Sequence, residues 1–393
     1  MERRFAFTPS DKGDLDGFIT DKYSKLPPEQ TKAIRLFVAH NRDKHSLSAD
    51  DVEVFASYVI GAGDSLASKV SISPRDRAYV EDLESRFSAD KKSEEGRYGY
   101  PKILEAVLTR QIELANWFGD DAITFQTHEY DDYVGGVDMV IEWPGDGDGE
   151  PIRLAIDVTL ASNIDTIANK IMRGRQDIEQ GKSSTTKGKV FLSQVKYYVD
   201  PNTEEQISLE MVPKVIIGTD IEGIKRLVQK AASVLRKVPG ANQKFSNDPC
   251  QFLFLKEVRV QLERQLWFST LSLMDGMAKR NPDIKESSVY DDIYNLLERH
   301  GKENASPPTP EETAKLISLV MEHESSEKEM LGKDVGSKRR VVSFLEIARV
   351  YNHIKGVLSE KEESLGNQMV AEAGALEAKD QVASAINRAS WRH

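Results

Sequence analysis

The chain has 393 residues, 39% hydrophobic and 30% charged, a folded rather than disordered composition with length for two or three cored domains. No apolar run approaches the roughly 18 residues of a membrane helix, the start MERRFAFTPSDKGD lacks a secretory apolar stretch, and Cys250 is alone, so an internal disulfide is excluded. Seven scattered histidines offer no zinc spacing, and the expectation is a cytoplasmic protein with no membrane contact.

A formal net charge of −11 argues against a chain whose whole surface binds nucleic acid. The charge is uneven, however. Between Lys170 and Lys196 seven basic residues face only Asp177 and Glu179, and between Gly223 and Asn247 six basic residues face no acid. Such asymmetry is compatible with a polyanion-facing surface, and also with ordinary solvated helix faces.

Residues 1–95 read as a helical region. LPPEQTKAIRLFVAHN has prolines at its start and apolar residues at helical spacing, and SADDVEVFASYVIG opens with Ser48 followed three residues later by Asp51, an acidic relative of the capping box. DRAYVEDLESRFSADKKSEEGR continues in the same style.

Residues 96–240 read as a mixed α/β unit. YPKILEAVLTRQIELANWFGDD carries Ile103, Leu104, Val107, Leu108, Ile112 and Ala115 at three- and four-residue steps, with Gly119 as the expected stop. ITFQTHEYDD reads as a first strand. GVDMVIEW and IRLAIDVTLA form a hairpin around PGDGDGEP, SNIDTIANKIMRGRQDIEQGK is a helix, and KVFLSQVKYYVD and the short apolar PKVIIGTD are strands, the latter leading into helix IEGIKRLVQKAASVLRKV. Residues 241–393 return to helices, with ENASPPTPEET as a loop and LGKDVGSKRR, residues 331–340, as a solvated one. The tip DGDGE lacks the later bidentate glutamate of a calcium loop, and GKSSTTKGK has the wrong spacing for a phosphate loop.

Asp138 and Asp157 each stand inside an otherwise apolar run of that hairpin. A buried carboxylate without compensation is costly, and two on neighbouring strands repel by roughly 3 kcal/mol at about 5 Å and a dielectric of about 20. A shared proton, a basic partner or a divalent cation would resolve the conflict. Glu105 lies one step from the apolar face of the preceding helix and can point toward the same sheet. Plainer readings stand beside this one: Asp138 ending a turn, Asp157 bridged to Arg153 or Lys170, Glu105 as a surface acid.

Glu105 in ILEAVL, Asp138 in GGVDMVI and Asp157 in LAIDVT, followed by a helix and the strand PKVIIGTD, resemble the PD-(D/E)xK nuclease superfamily over about residues 98–235. The resemblance implies an α/β fold, a restriction-endonuclease-like mixed-sheet core flanked by N- and C-terminal helical regions. It implies a metal-dependent nuclease in which Asp138, Asp157, Glu105 and the carbonyl of Val158 hold Mg²⁺ or Mn²⁺. Nucleic acid, DNA or RNA, would be gripped through its backbone by Arg173, Arg175, Gln176, Lys182 and Lys196, with Gln180 in the same region. The chain departs from the motif at Thr159, where the family has a lysine; Lys170 is the first substitute and Lys196 the second. The alternative is a catalytically inactive relative that binds nucleic acid or assembles, with the helical regions open to a second copy of the chain or another protein.

Overall fold

The computed structural model describes residues 17, 19, 22–23, 25–41, 47–62, 70–88, 99–145, 149–160, 165, 167, 170–171, 192–201, 203–280, 288–301, 308–326 and 335–390. Helices α1 (Pro28–Asn41), α2 (Ala49–Ala62) and α3 (Pro74–Ser88) come first, and α4 (Tyr100–Ala115) opens the α/β part. Ser48 and Asp51 bond reciprocally at the start of α2, as the capping pattern requires. Helix α4 ends earlier than Gly119: Asn116 takes the left-handed conformation (φ 53°) that closes a helix.

Among the described residues five strands form one mixed sheet: β1 (Ile123–Gln126), β2 (Met139–Trp143), β3 (Ile152–Leu160), β4 (Leu192–Val199) and β5 (Gln206–Thr219), in the order β1-β2-β3-β5-β4. The β2–β3 hairpin is antiparallel with Met139 opposite Ile156, and β3 runs parallel to β5 with Asp157 opposite Ile216. The expected first strand is half right. It stops at Gln126, and EYDDYVG forms a short helix, α5 (Glu129–Gly135). His128 caps it by accepting the Tyr130 amide at 3.1 Å, three acids fill its first turn, and Gly136 (φ 58°) ends it. PKVIIGTD is the second half of a 14-residue strand rather than a short strand of its own.

The sheet is coated on both faces. Leu154, Ile156 and Val158 point into a core shared with Leu104, Leu108, Phe37, Phe252 and Tyr351, so a single apolar cluster crosses both places where sequence suggests a boundary. Ala155 points the other way, with Val140, Val195 and Tyr198. The two-residue period of a strand puts Asp157 on that second face. Ile167, Ile171 and Ile216 pack there with Val382 and Ile386.

Helices α6 (Ile221–Leu235), α7 (Ala241–Ser246), α8 (Cys250–Arg280), α9 (Ser288–Gly301), α10 (Pro310–Ser326), α11 (Val335–Glu377, kinked at Gly366) and α12 (Gln381–Ser390) complete the chain. Residues 335–340, expected as loop, belong to α11.

Strand β4 pairs with β5 only as far as Pro213. Beyond it, side chains of α8 take the place of a strand. Gln265 donates to the Lys214 carbonyl at 2.7 Å, Gln261 both accepts from the Ile216 amide at 2.9 Å and donates to its carbonyl at 2.7 Å, and Glu257 accepts the Gly218 amide at 3.2 Å. Four helical residues rise about 6 Å and two strand residues about 6.7 Å, so this i, i+4, i+8 ladder stays in step with alternate strand residues. Among the described residues no helix is long and apolar enough to cross a membrane.

Candidate functional site

Three elements meet at one end of the β2–β3 hairpin. Gly136 turns the chain out of α5 so that Asp138 lies immediately before β2, its amide donating to the Ile156 carbonyl at 2.9 Å. One carboxylate oxygen of Asp138 accepts the Val158 amide at 2.7 Å. Val158 therefore contributes its N–H to this arrangement. The other oxygen of Asp138 looks toward the start of α4, where Lys102 stands in the first turn and Glu105 in the second.

Lys102 Nζ lies 3.0 Å from Glu105 Oε2, 3.6 Å from Asp132 Oδ2 and 3.8 Å from Asp138 Oδ1. Three carboxylates from α4, α5 and the start of β2 thus share one ammonium. Asp157 is neutralised separately. Lys170 Nζ approaches its two oxygens at 3.0 and 3.3 Å, and Lys214 Nζ, from β5, approaches Oδ2 at 3.6 Å while donating to the Gly135 carbonyl at 2.7 Å. Four carboxylates and three ammoniums leave one uncompensated negative charge if all are ionised.

The electrostatics follow from burial. Glu105 is almost fully enclosed, and burial raises its carboxyl to about 7 against the pull of Lys102, with the Asp132 and Asp157 charges adding to the rise. Burial, then the charges of Glu105 and Asp132, holds Asp138 well above the usual carboxylate range. Asp132 is raised by burial and by Asp157 while Lys102 opposes. Burial works against the charge on Lys170, but Asp157 prevails and its amine is raised. Lys214, more deeply enclosed and near Lys170, is lowered, burial being the main cause. Basic partners from three elements answer the repulsion expected between Asp138 and Asp157, and burial favours the protonated form of the crowded acids Glu105 and Asp138.

Glu105, Asp138, Asp157 and Lys170 therefore lie at one end of the hairpin. Lys196 does not. Its ammonium is held by Asp76 of α3 and lies over the rings of Tyr130 and Tyr197, at 5.2 and 5.4 Å, while its amide bonds to Asp131 at 2.8 Å. It is the Lys214 amine that accompanies Lys170 beside Asp157. Arg153, the other suggested partner of Asp157, pairs instead with Glu142 at 2.6 Å. Arg173, Arg175, Gln176, Gln180, Lys182 and residues 146–148 of the DGDGE tip lie outside the described residues. Sequence reasoning missed Lys102, Asp132 and Lys214. Lys214 carried a usable signal: a lone charge inside PKVIIG raises the same question as the aspartate inside AIDVT.

The donors here are all carboxylate oxygens, the hard set that magnesium or manganese prefers. Their present spacing suits an ammonium: the 3.0–3.8 Å contacts to Lys102 exceed the roughly 2.0–2.1 Å of a magnesium–oxygen bond. Among the described residues no group of three or more His, Cys, Asp or Glu side chains is arranged to hold a metal ion. The donor chemistry fits a divalent cation, and the lysine stands where the donors face. Compared with family models, curated proteins and solved structures, the chain matches none.

Proposed function

We propose that this chain is a metal-dependent nuclease of the PD-(D/E)xK type that hydrolyses phosphodiester bonds in DNA or RNA. The observation carrying this reading is the convergence of Glu105, Asp138 and Asp157, 33 and 19 residues apart along the chain, at one end of a mixed sheet with lysine amines beside them. The succession of α4, β1, α5, β2 and β3, helical residues at Ile167, Lys170 and Ile171, and then β4 and β5 supports a restriction-endonuclease-like core.

Asp138 and Asp157 would hold Mg²⁺ or Mn²⁺, with Glu105 completing the set. When bound, such an ion lowers the pKa of a water and offsets charge building on the phosphate. The lysines divide the work of the missing residue at Thr159. Lys214, whose side chain is 8% exposed, fixes the orientation of Asp157 from beneath. Lys170, 39% exposed, presents its ammonium to solvent at the same carboxylate, where it can hold a phosphate oxygen or the attacking water.

The test is cleavage of a panel of single- and double-stranded DNA and RNA with Mn²⁺, with and without chelator. Cleavage that disappears in Asp138→Asn and Asp157→Asn supports the reading; cleavage unchanged in both variants removes it. The second reading is a non-catalytic nucleic-acid-binding protein, favoured by Thr159 and by the ammonium at the acidic focus. It expects an electrophoretic shift without cleavage, insensitive to chelator.

A further inference from the structure

Lys102 occupies an odd place for a lysine. It stands in the first turn of α4, after Pro101, where the helix dipole presents its positive end and where no acidic residue compensates it within that turn. Helix energetics favour an acid there. What holds the ammonium is the convergence upon it of Glu105 from the next turn, Asp132 from α5 and Asp138 from the edge of β2, at 3.0, 3.6 and 3.8 Å. Its side chain is nevertheless 22% exposed, and a four-carbon stem can carry the charge to water without moving the backbone. Two of the acids cannot leave in the same way: Glu105 is buried, and one oxygen of Asp138 is committed to the Val158 amide.

From this asymmetry we propose that Lys102 is a tethered counter-ion that plugs the acidic site and must be displaced before a divalent cation enters. The inference rests on the metal-binding reading of the site. Two cations of one and two charges compete for the same oxygens, so they exclude each other. With Lys102 in place the acids are neutralised at ammonium spacing; with Lys102 swung out they repel one another until a divalent ion draws them in. The plug keeps the fold intact without metal and weakens the site's grip on the ion by the free energy of the displaced contacts. Affinity for metal is thereby set by a residue that is not itself a ligand.

The experiment measures Mn²⁺ binding to the full chain by calorimetry and by the paramagnetic signal of the free ion, with melting temperature read alongside. Lys102→Met is expected to bind Mn²⁺ about tenfold tighter or more than the unaltered chain, within the range ordinary for coupled sites. It should melt at lower temperature without the ion and gain more from its addition. Lys102→Arg should stay weak, and adding Asp138→Asn to Lys102→Met should abolish the gain. Equal Mn²⁺ affinity in the unaltered chain and Lys102→Met, with Asp138→Asn still eliminating binding, overturns the plug and leaves the metal reading standing. Failure of both the unaltered chain and Lys102→Met to bind Mn²⁺ overturns the two together. If Lys102→Met does not fold, Lys102→Gln enters the same comparison, with the same two outcomes deciding.

Discussion

Lys214 and Asp157 stand on adjacent parallel strands, the amine 3.6 Å from Oδ2 of the carboxylate and both side chains largely enclosed. The backbone of Lys214 is fixed in turn by Gln265, so the contact is built on a strand with little freedom to shift. Removing one member of an enclosed ion pair leaves the other charge without full compensation. Lys214→Met is expected to cost about 3 kcal/mol in urea unfolding. Asp157→Asn should cost less when introduced into Lys214→Met than into the unaltered chain, with a coupling of about 1–2 kcal/mol. Strict additivity in that cycle would show that the two groups do not interact.

Gly136 takes φ 58°, and a methyl group placed on it would come within 3.0 Å of Lys214 Nζ and 3.5 Å of Asp157 Oδ2. Gly136→Ala therefore meets two penalties, the left-handed backbone and the displaced amine. A loss of about 1–2 kcal/mol is expected from the backbone alone. On the proposed metal-binding reading, Mn²⁺ binding should weaken as well, since the turn also positions Asp138. A stability loss with unaltered binding would confine Gly136 to the turn.

The α8 ladder makes a sharper claim about stability. Gln261 satisfies both the amide and the carbonyl of Ile216, a residue 4% exposed, so Gln261→Ala leaves two buried backbone groups without their partner. A cost of about 2–4 kcal/mol follows from the usual penalty for such groups. Gln243→Ala, on an exposed position of α7, serves as the control and should be near neutral. Similar denaturation midpoints for the two variants would mean that the ladder contributes nothing.

Glu105 and Asp131 are raised by burial, Glu105 to about 7 and Asp131 to about 6, from the ordinary values of 4.5 and 3.8. Between the unfolded and folded values the folded chain binds more protons, so stability falls as pH rises through that interval. The full contribution is present below about pH 4 and is lost on climbing from about pH 4 to pH 7. For Glu105 the loss is at most about 3 kcal/mol. Glu105→Gln is expected to flatten the upper part of this slope, measured as unfolding free energy at pH 5, 6, 7 and 8. A variant as pH-dependent as its parent would remove Glu105 as the source.

Much of the site was legible before any fold was known. Two apolar runs around a turn-prone tip identified the β2–β3 hairpin, three- and four-residue spacing identified α4, and acids inside those runs singled out Asp138 and Asp157. These are local signals, because residue period and burial are written along a single element. Which cation answers each acid was not local. Asp157 meets Lys214 only because β3 and β5, separated by β4 in the chain, lie side by side in one register. Asp132 reaches Lys102 only because HEYDDY turns into a helix under a histidine cap instead of continuing as strand. Single-element patterns say that a buried charge must be compensated; strand register and helix placement, which depend on packing between distant segments, decide by what.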